Sequence, residues 1–255
     1  MNEAIRNSIK TLARVYYDYQ RERMSLEGRL GIKKDGEIKK RAPERDPVIL
    51  IEVKSRHDDV AAQAEIIFKS LAKEVHKHPL WDAFLNPVLG CGEAIAAVII
   101  SEFDIEKFEN ISKGWQFAGM NPGMVHGKIK KGDKIIVTDT MIRGDKKTKG
   151  FLCPYNQFLK MVLLGRLGPS FLKCNSPYRQ YYDNMKHRYE SEDWGTLSKH
   201  PTDPKRPKAG HQHNAANRYM VKRFIVDLYV AWRTLEGLPV REPYQQEYLG
   251  KNHAA

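Results

Sequence analysis

Apolar side chains recur at helical spacing along the first part of the chain. Ile5, Ile9, Leu12, Tyr16 and Tyr19 fall four, three, four and three residues apart; Arg23 interrupts the series, and Leu26 and Leu30 resume it. This is a heptad seam, narrower than the stripe of a helix lying on a broad core. A polar segment from Lys33 to Pro47, punctuated by Gly36, Pro43 and Pro47, breaks it. Val60, Ala64, Ile67, Phe68, Leu71 and Val75 then set a second helix at near-heptad spacing. Two such helices joined by a short connection pair antiparallel as a hairpin or coiled-coil arm. The same seam suits dimerisation, so self-association through this N-terminal helical region is also expected.

After Pro87 the texture changes. An apolar helix is predicted from about Glu93 to Phe103, and a short one ends near Gly119. From Lys128 to Lys149 the chain is polar and Gly-punctuated, with Ile135 to Thr140 as its only strand-like run, and it reads as a basic loop. Lys128, Lys130, Lys131, Lys134, Arg143, Lys146, Lys147 and Lys149 face only Asp133, Asp139 and Asp145 in that stretch. Pro154 suits the first turn of a helix carrying Phe158, Leu159, Val162 and Leu163, and Pro177 the start of one carrying Tyr178, Tyr182, Met185 and Tyr189. A polar linker over 191–213 precedes a last helix, whose Val221, Phe224, Ile225, Leu228 and Trp232 keep the spacing of a buried face.

The expected fold is mainly α: a helical hairpin over 1–85, then a compact helical domain over 86–255 built around a helix-hairpin-helix. Its 255 residues are 41% hydrophobic and 29% charged, which excludes wholesale disorder. The longest apolar run, Ala94 to Ile100, is too short to span a bilayer, and no basic start leads into an apolar run, so neither membrane nor secretory leader is expected. Three widely spaced cysteines, Cys91, Cys153 and Cys174, offer no disulfide framework, so a cytoplasmic protein is expected. The net charge of +12 points to a polyanion, nucleic acid first.

Leu89-Gly90-Cys91-Gly92 followed by Ala94, Ala96 and Ala97 is the pattern of a helix-hairpin-helix. Glycines permit a left-handed turn and close approach of a phosphate, and the following helix offers unpaired N–H groups and its positive end. Such a device holds a backbone without reading sequence. Glu93 at the helix start opposes an anion, and a turn that needs glycine for packing alone is the plainer alternative. Gly90, Gly92, Lys113, Lys128, Lys130, Lys131, Lys134, Arg143, Lys146 and Lys147 are the candidate nucleic-acid contacts. Tyr178, Tyr181, Tyr182 and Tyr189 beside Arg179, Lys186 and Arg188 suit either core packing or stacking on unpaired bases. His76-x-His78 and His211-x-His213 lack the spacing partners of a zinc site, so no metal ligand is assigned.

The order FLNPVLGCGEAIAAVIISEFDIEKFENISKGWQFAGMNP resembles the C-terminal transposase domain of the bridge-RNA-guided insertion-sequence transposases, relatives of the Piv/MooV pilin-gene invertases. Phe108 stands for that family's phenylalanine, and Ala118, Gly119 and Pro122 for its closing motif. MSLEGRLGI resembles the end of its linker helix, YRQYYDNMKHR its Tyr-rich helix and HQHNAANRYMVKRFIVDLYVAWRTLEG its closing helix. The resemblance runs from about Thr11 to Tyr244 and is strongest from Leu85 to Pro122.

The resemblance implies DNA transposition or site-specific recombination, with DNA and a structured guide RNA as partners and a nucleoid-associated, prokaryotic setting. It also implies a RuvC-like nuclease domain with four metal-holding carboxylates, for which this sequence has no counterpart. Magnesium is therefore expected only with a separate nuclease subunit, and no cofactor in this chain. The family's nucleophilic serine has no counterpart between Gly119 and Thr148; His126 lies near its place, and Thr138 and Thr140 are the only hydroxyls close by. The expected role is a DNA-binding transposase protein that is not catalytic alone. The alternatives are a non-enzymatic, domesticated or phage- or element-derived nucleic-acid-binding structural protein, and a recombinase that uses one of the threonines.

Overall fold

The structure is a computed structural model that describes residues 3–31, 46–190 and 209–242. It is mainly helical and divides into two compact units, Met1–His78 and Pro79–Ala255.

The first unit is a helical hairpin of α1 (Glu3–Leu30) and α2 (Pro47–His76). Pro47 opens α2 rather than closing the break before it: Asp46 caps the helix by accepting from the Val48 N–H at 2.8 Å, and proline suits a first turn whose N–H has no helical partner. The seam closes within the chain. Tyr16 meets Phe68 with ring centroids 5.6 Å apart, and Glu22 pairs with Arg56 at 2.8 Å, so the helices run antiparallel. The buried residues of α1 are Ile9, Ala13, Tyr17 and Leu30, while Leu12, Tyr16 and Tyr19 are half-buried. Ile9 and Leu30 are buried as the spacing predicts, while between them Ala13 and Tyr17 are buried more fully than the predicted Leu12 and Tyr16. On α2 the buried line is Val60, Ala64, Leu71 and Val75, as the spacing predicts.

The second unit is organised by its last helix, α8 (Ala209–Leu235), which starts inside the predicted linker; residues 191–208 of that linker lie outside the described residues. Val221, Phe224, Ile225, Leu228 and Trp232 of α8 are all buried, each worth about 1.5–3 kcal/mol of transferred surface. Against it pack α4 (Ile111–Phe117), α6 (Gly168–Lys173) and α7 (Arg179–Glu190), while α3 (Glu93–Glu102) packs on α5 (Gln157–Val162). Asn156, not Pro154, begins α5: its side chain accepts from the Leu159 N–H at 3.0 Å. Phe103, Phe108 and Phe117 form one aromatic cluster beside α4.

One charged side chain is used as a core strut. Arg233, 5% exposed, donates Nη1 to the carbonyls of Phe108 at 2.8 Å and Ile105 at 3.1 Å, and Nε to that of Pro239. It thereby ties the end of α8 to the short 3₁₀ turn Ile105–Lys107. Tyr229 adds a parallel tie from its hydroxyl to the Glu109 carbonyl at 2.9 Å.

The predicted basic loop is a loop only from Gly144 onward; what precedes it is strand. That part is an antiparallel ribbon of β1 (Met124–Lys131) and β2 (Lys134–Arg143), joined by the two residues Gly132 and Asp133. Gly132 sits at φ 61° and Asp133 is not left-handed, the conformation of a type II′ turn, whose twist matches that of the two strands.

Candidate nucleic-acid interface

The ribbon carries most of the predicted contacts. Lys128 pairs with Val137, Lys130 with Ile135, Ile129 with Ile136, and Lys131 with Lys134 beside the turn. Opposed residues of an antiparallel pair share a face, as do residues two apart on one strand. Lys128, Lys130, Ile135 and Val137 therefore lie on one face, and Ile129, Lys131, Lys134 and Ile136 on the other.

Among the described residues none of these four lysines is in an ion pair, nor is Lys146, Lys147 or Lys149. Basic side chains on the helices are commonly neutralised locally: Lys113 holds Glu109 at 2.6 Å, Lys77 holds Glu74 at 2.6 Å and Arg179 holds Asp183 at 3.3 Å. Lys131 and Lys134 even face one another, an arrangement that costs the free ribbon stability and that an intervening anion relieves.

A two-stranded ribbon is marginal by itself, so its base must be held. Gly144 donates its N–H to the Gly123 carbonyl at 2.8 Å, and the Lys128 carbonyl accepts from the Leu152 N–H at 2.7 Å. Between His126 and Lys128 the register shifts, so that Thr138, Asp139 and Thr140 of β2 stand against the single Gly127. The Phe151 ring covers Gly127 so closely that a β-carbon there would overlap it.

The base is also locked electrostatically. Asp145, almost fully buried, receives Arg143 Nε at 2.9 Å and Nη2 at 3.0 Å, with Arg218 Nη1 at 3.6 Å. Its backbone carbonyl accepts from Lys160 Nζ, which also lies over the Tyr155 ring at 4.2 Å. Burial pushes the Asp145 carboxyl up, but the Arg143 hydrogen bonds and the charges of Arg143, Arg218 and Lys160 prevail and hold it below the ordinary aspartate range. Arg143 is thus spent on fixing the ribbon, unlike the lysines. A cavity of about 290 Å³ at this base is lined by Gln116, His126, Lys128 and Cys153 among others.

Of the two threonines, Thr138 is used structurally. Thr138 Oγ1 donates to the Gly127 carbonyl at 2.9 Å across the bulge, and His126 Nδ1 lies 3.1 Å from the Thr138 carbonyl rather than its hydroxyl. Neither Thr138 nor Thr140 is hydrogen-bonded to a titratable side chain among the described residues. Within the same residues no three His, Cys, Asp or Glu side chains are grouped to hold a metal ion.

Around Gly90 the first element is one π-helical turn, Trp81–Leu85, and the second is α3. The two glycines differ. Gly90 has φ 97°, and a β-carbon there would come within 3.1 Å of Ser170 Oγ and 3.2 Å of the Phe171 ring, so it serves turn geometry and packing. Gly92 is the exposed N-cap of α3 with open space beside it. Gly119 is close-packed, with a β-carbon position 2.8 Å from Tyr155 and Lys160. Of the tyrosines, Tyr178 stacks on Phe171 with centroids 5.0 Å apart and donates to Asp227 at 2.7 Å, and Tyr189 is buried. Tyr182 bonds His213 Nδ1 at 2.8 Å, while Arg223 lies over the Tyr181 ring at 5.1 Å.

Sequence reasoning missed the ribbon itself, the Asp145 lock and the Arg233 strut. The two-residue Gly132-Asp133 connection between runs containing Ile129 and Ile135 is the signal that marks the ribbon. No helix among the described residues is long and apolar enough to cross a membrane. No family model matches the chain, and no curated protein and no solved structure matches it.

Proposed function

We propose that this chain binds nucleic acid by its phosphate backbone, and that it does so as a transposase-type DNA-binding protein in transposition or site-specific recombination. The observation that carries the binding is the set of ribbon lysines, Lys128, Lys130, Lys131 and Lys134, none ion-paired among the described residues on an arm whose base is held rigidly. Lys146 and Lys147 extend the set past the lock, and Gly92 offers an approach to the α3 N-terminus. The recombination setting rests on the resemblance from Leu85 to Pro122, as do a structured guide RNA and a separate nuclease subunit. Thr138, engaged with the Gly127 carbonyl, favours a role in holding rather than cutting. That observation equally supports the second reading, a domesticated or element-derived structural binder.

The test is affinity for duplex DNA, single-stranded DNA and structured RNA as a function of salt. Binding should weaken steeply with salt, and replacing Lys128, Lys130, Lys131 and Lys134 by glutamine should reduce the log–log slope by about one per lysine in contact. Absence of binding to all three polymers, or an unchanged slope in the variant, overturns the reading. Strand cleavage of supercoiled DNA that persists in the isolated chain and is lost in Thr138→Ala or Thr140→Ala would instead restore the catalytic alternative.

A further inference from the structure

The ribbon does not carry lysines alone. Ile135 is 64% exposed and Val137 60% exposed, on the same face as Lys128 and Lys130. On that face β1 supplies the charge and β2 supplies β-branched apolar side chains. Phosphate contact explains the first and leaves the second without a use, because an apolar side chain gains nothing from a solvated backbone. Two apolar groups held in water on a rigid arm call for a surface that is itself apolar and lies between anionic walls.

We infer that this face of the ribbon enters the major groove of duplex DNA, with Ile135 and Val137 against base edges and Lys128 and Lys130 reaching the phosphates at its rim. The inference rests on the nucleic-acid reading above and narrows it to one polymer and one groove. Strand axes lie about 4.8 Å apart, so with side chains a two-stranded ribbon is roughly 10 Å across. The major groove of B-form DNA is about 12 Å wide and admits such a ribbon, whereas the minor groove, at about 6 Å, does not. The major groove also presents the thymine methyl, the apolar feature of the base edges that aliphatic side chains contact. An A-form RNA helix has a deep, narrow major groove closed to side chains. A second copy of this chain is the less favoured occupant, since it would set one row of unneutralised lysines against another.

The experiment compares the full chain with an Ile135→Thr/Val137→Thr variant, which keeps β-branching and charge. Both are bound to a mixed-sequence DNA duplex, the same duplex with uracil for thymine, a single strand and an RNA duplex. Dimethyl sulfate footprinting of the DNA complex reports guanine N7 in the major groove and adenine N3 in the minor. The double variant should bind the thymine duplex about tenfold more weakly, the effect of withdrawing one or two methyl-sized groups from contact. Its salt slope and its affinity for single strand and RNA should stay unchanged. The uracil duplex should reduce the difference between the two proteins, and guanine N7 should be protected.

Equal weakening on all four polymers, no weakening at all, or protection of adenine N3 alone overturns groove entry while leaving phosphate binding intact. Failure of the unmodified chain to bind any polymer removes the parent reading as well. A DNA-free dimer in sedimentation that the double variant abolishes assigns the face to a second copy and also overturns the inference.

Discussion

Arg143 and Asp145 form a two-point ion pair, Nε to Oδ1 at 2.9 Å and Nη2 to Oδ2 at 3.0 Å, across the turn that ends the β-ribbon. The carboxylate end is buried with Arg218 and Lys160 around it, so the pair fixes the base of the arm to α5 and α8.

That geometry predicts an acid-sensitive anchor. The Asp145 carboxyl is held below its ordinary value, so its contribution is fully present above the unfolded aspartate value of about 3.9 and is lost as pH falls through the lower folded one. The Gly144 amide, bonded to the Gly123 carbonyl, should keep its hydrogen-exchange protection from neutral pH to about pH 4 and lose it below. Asp145→Asn should lose that protection at neutral pH; equal protection in the variant would place the anchor elsewhere.

Gly90 and Gly92 should separate in mutagenesis. Gly90→Ala meets both a left-handed backbone and Ser170 and Phe171, at a cost of about 1–3 kcal/mol seen as a lower Tm. Gly92→Ala has open space and should leave Tm within a degree or two while weakening nucleic-acid affinity. Unchanged affinity in a folded Gly92→Ala protein would remove the α3 N-terminus from the interface.

Cys91 should be inert. Burial foremost, with Glu93 nearby, pushes its thiol up to about 12, so it is neutral at physiological pH. A thiol-specific disulfide reagent at neutral pH should label exposed Cys174 in the native protein and spare Cys91 until the chain is unfolded. Rapid native labelling of Cys91 would show that the Gly90 turn opens.

Arg233→Ala removes the donor to three backbone carbonyls at once. Breaking such a charge-assisted set in the core should cost about 3–5 kcal/mol. Thermal unfolding should fall by roughly 6–20 °C for a unit of this size. Arg233→Lys should recover only part, since one ammonium cannot reproduce the planar fork whose Nε reaches Pro239 while Nη1 meets Phe108 and Ile105.

Much of the helical frame was legible because its apolar spacing is unambiguous: Val221, Phe224, Ile225, Leu228 and Trp232 are all buried as the pattern requires. On α1 the pattern found the buried Ile9 and Leu30 but not Ala13, which is small enough to look neutral in a hydropathy pattern, nor Tyr17. The ribbon was hidden by its own charge. Lys128, Lys130, Lys131 and Lys134 resemble a solvated tract, and alternation fails as a signal where both faces are exposed. Asp145 and Arg233 could not be identified as buried, since what covers them, Arg218 and Lys160 around Asp145 and the carbonyls of Ile105 and Phe108 around Arg233, lies far off in sequence and is not encoded in periodicity. Which glycine packs and which stays open is likewise a matter of neighbours, Ser170 and Phe171 against Gly90 and nothing against Gly92.

The ties from α8 back to Phe108 and Glu109 bear on how the protein is made. Arg233 and Tyr229 meet carbonyls more than a hundred positions earlier, and Trp115 Nε1 reaches the Lys222 carbonyl at 3.4 Å. During synthesis the second unit therefore waits for its last helix, with the faces that α8 covers open to solvent and to chaperones. A product stopped by a premature codon before residue 209 lacks every one of those ties. Such a fragment would display the lysine-bearing ribbon on a body that cannot close, a natural target for proteolytic clearance.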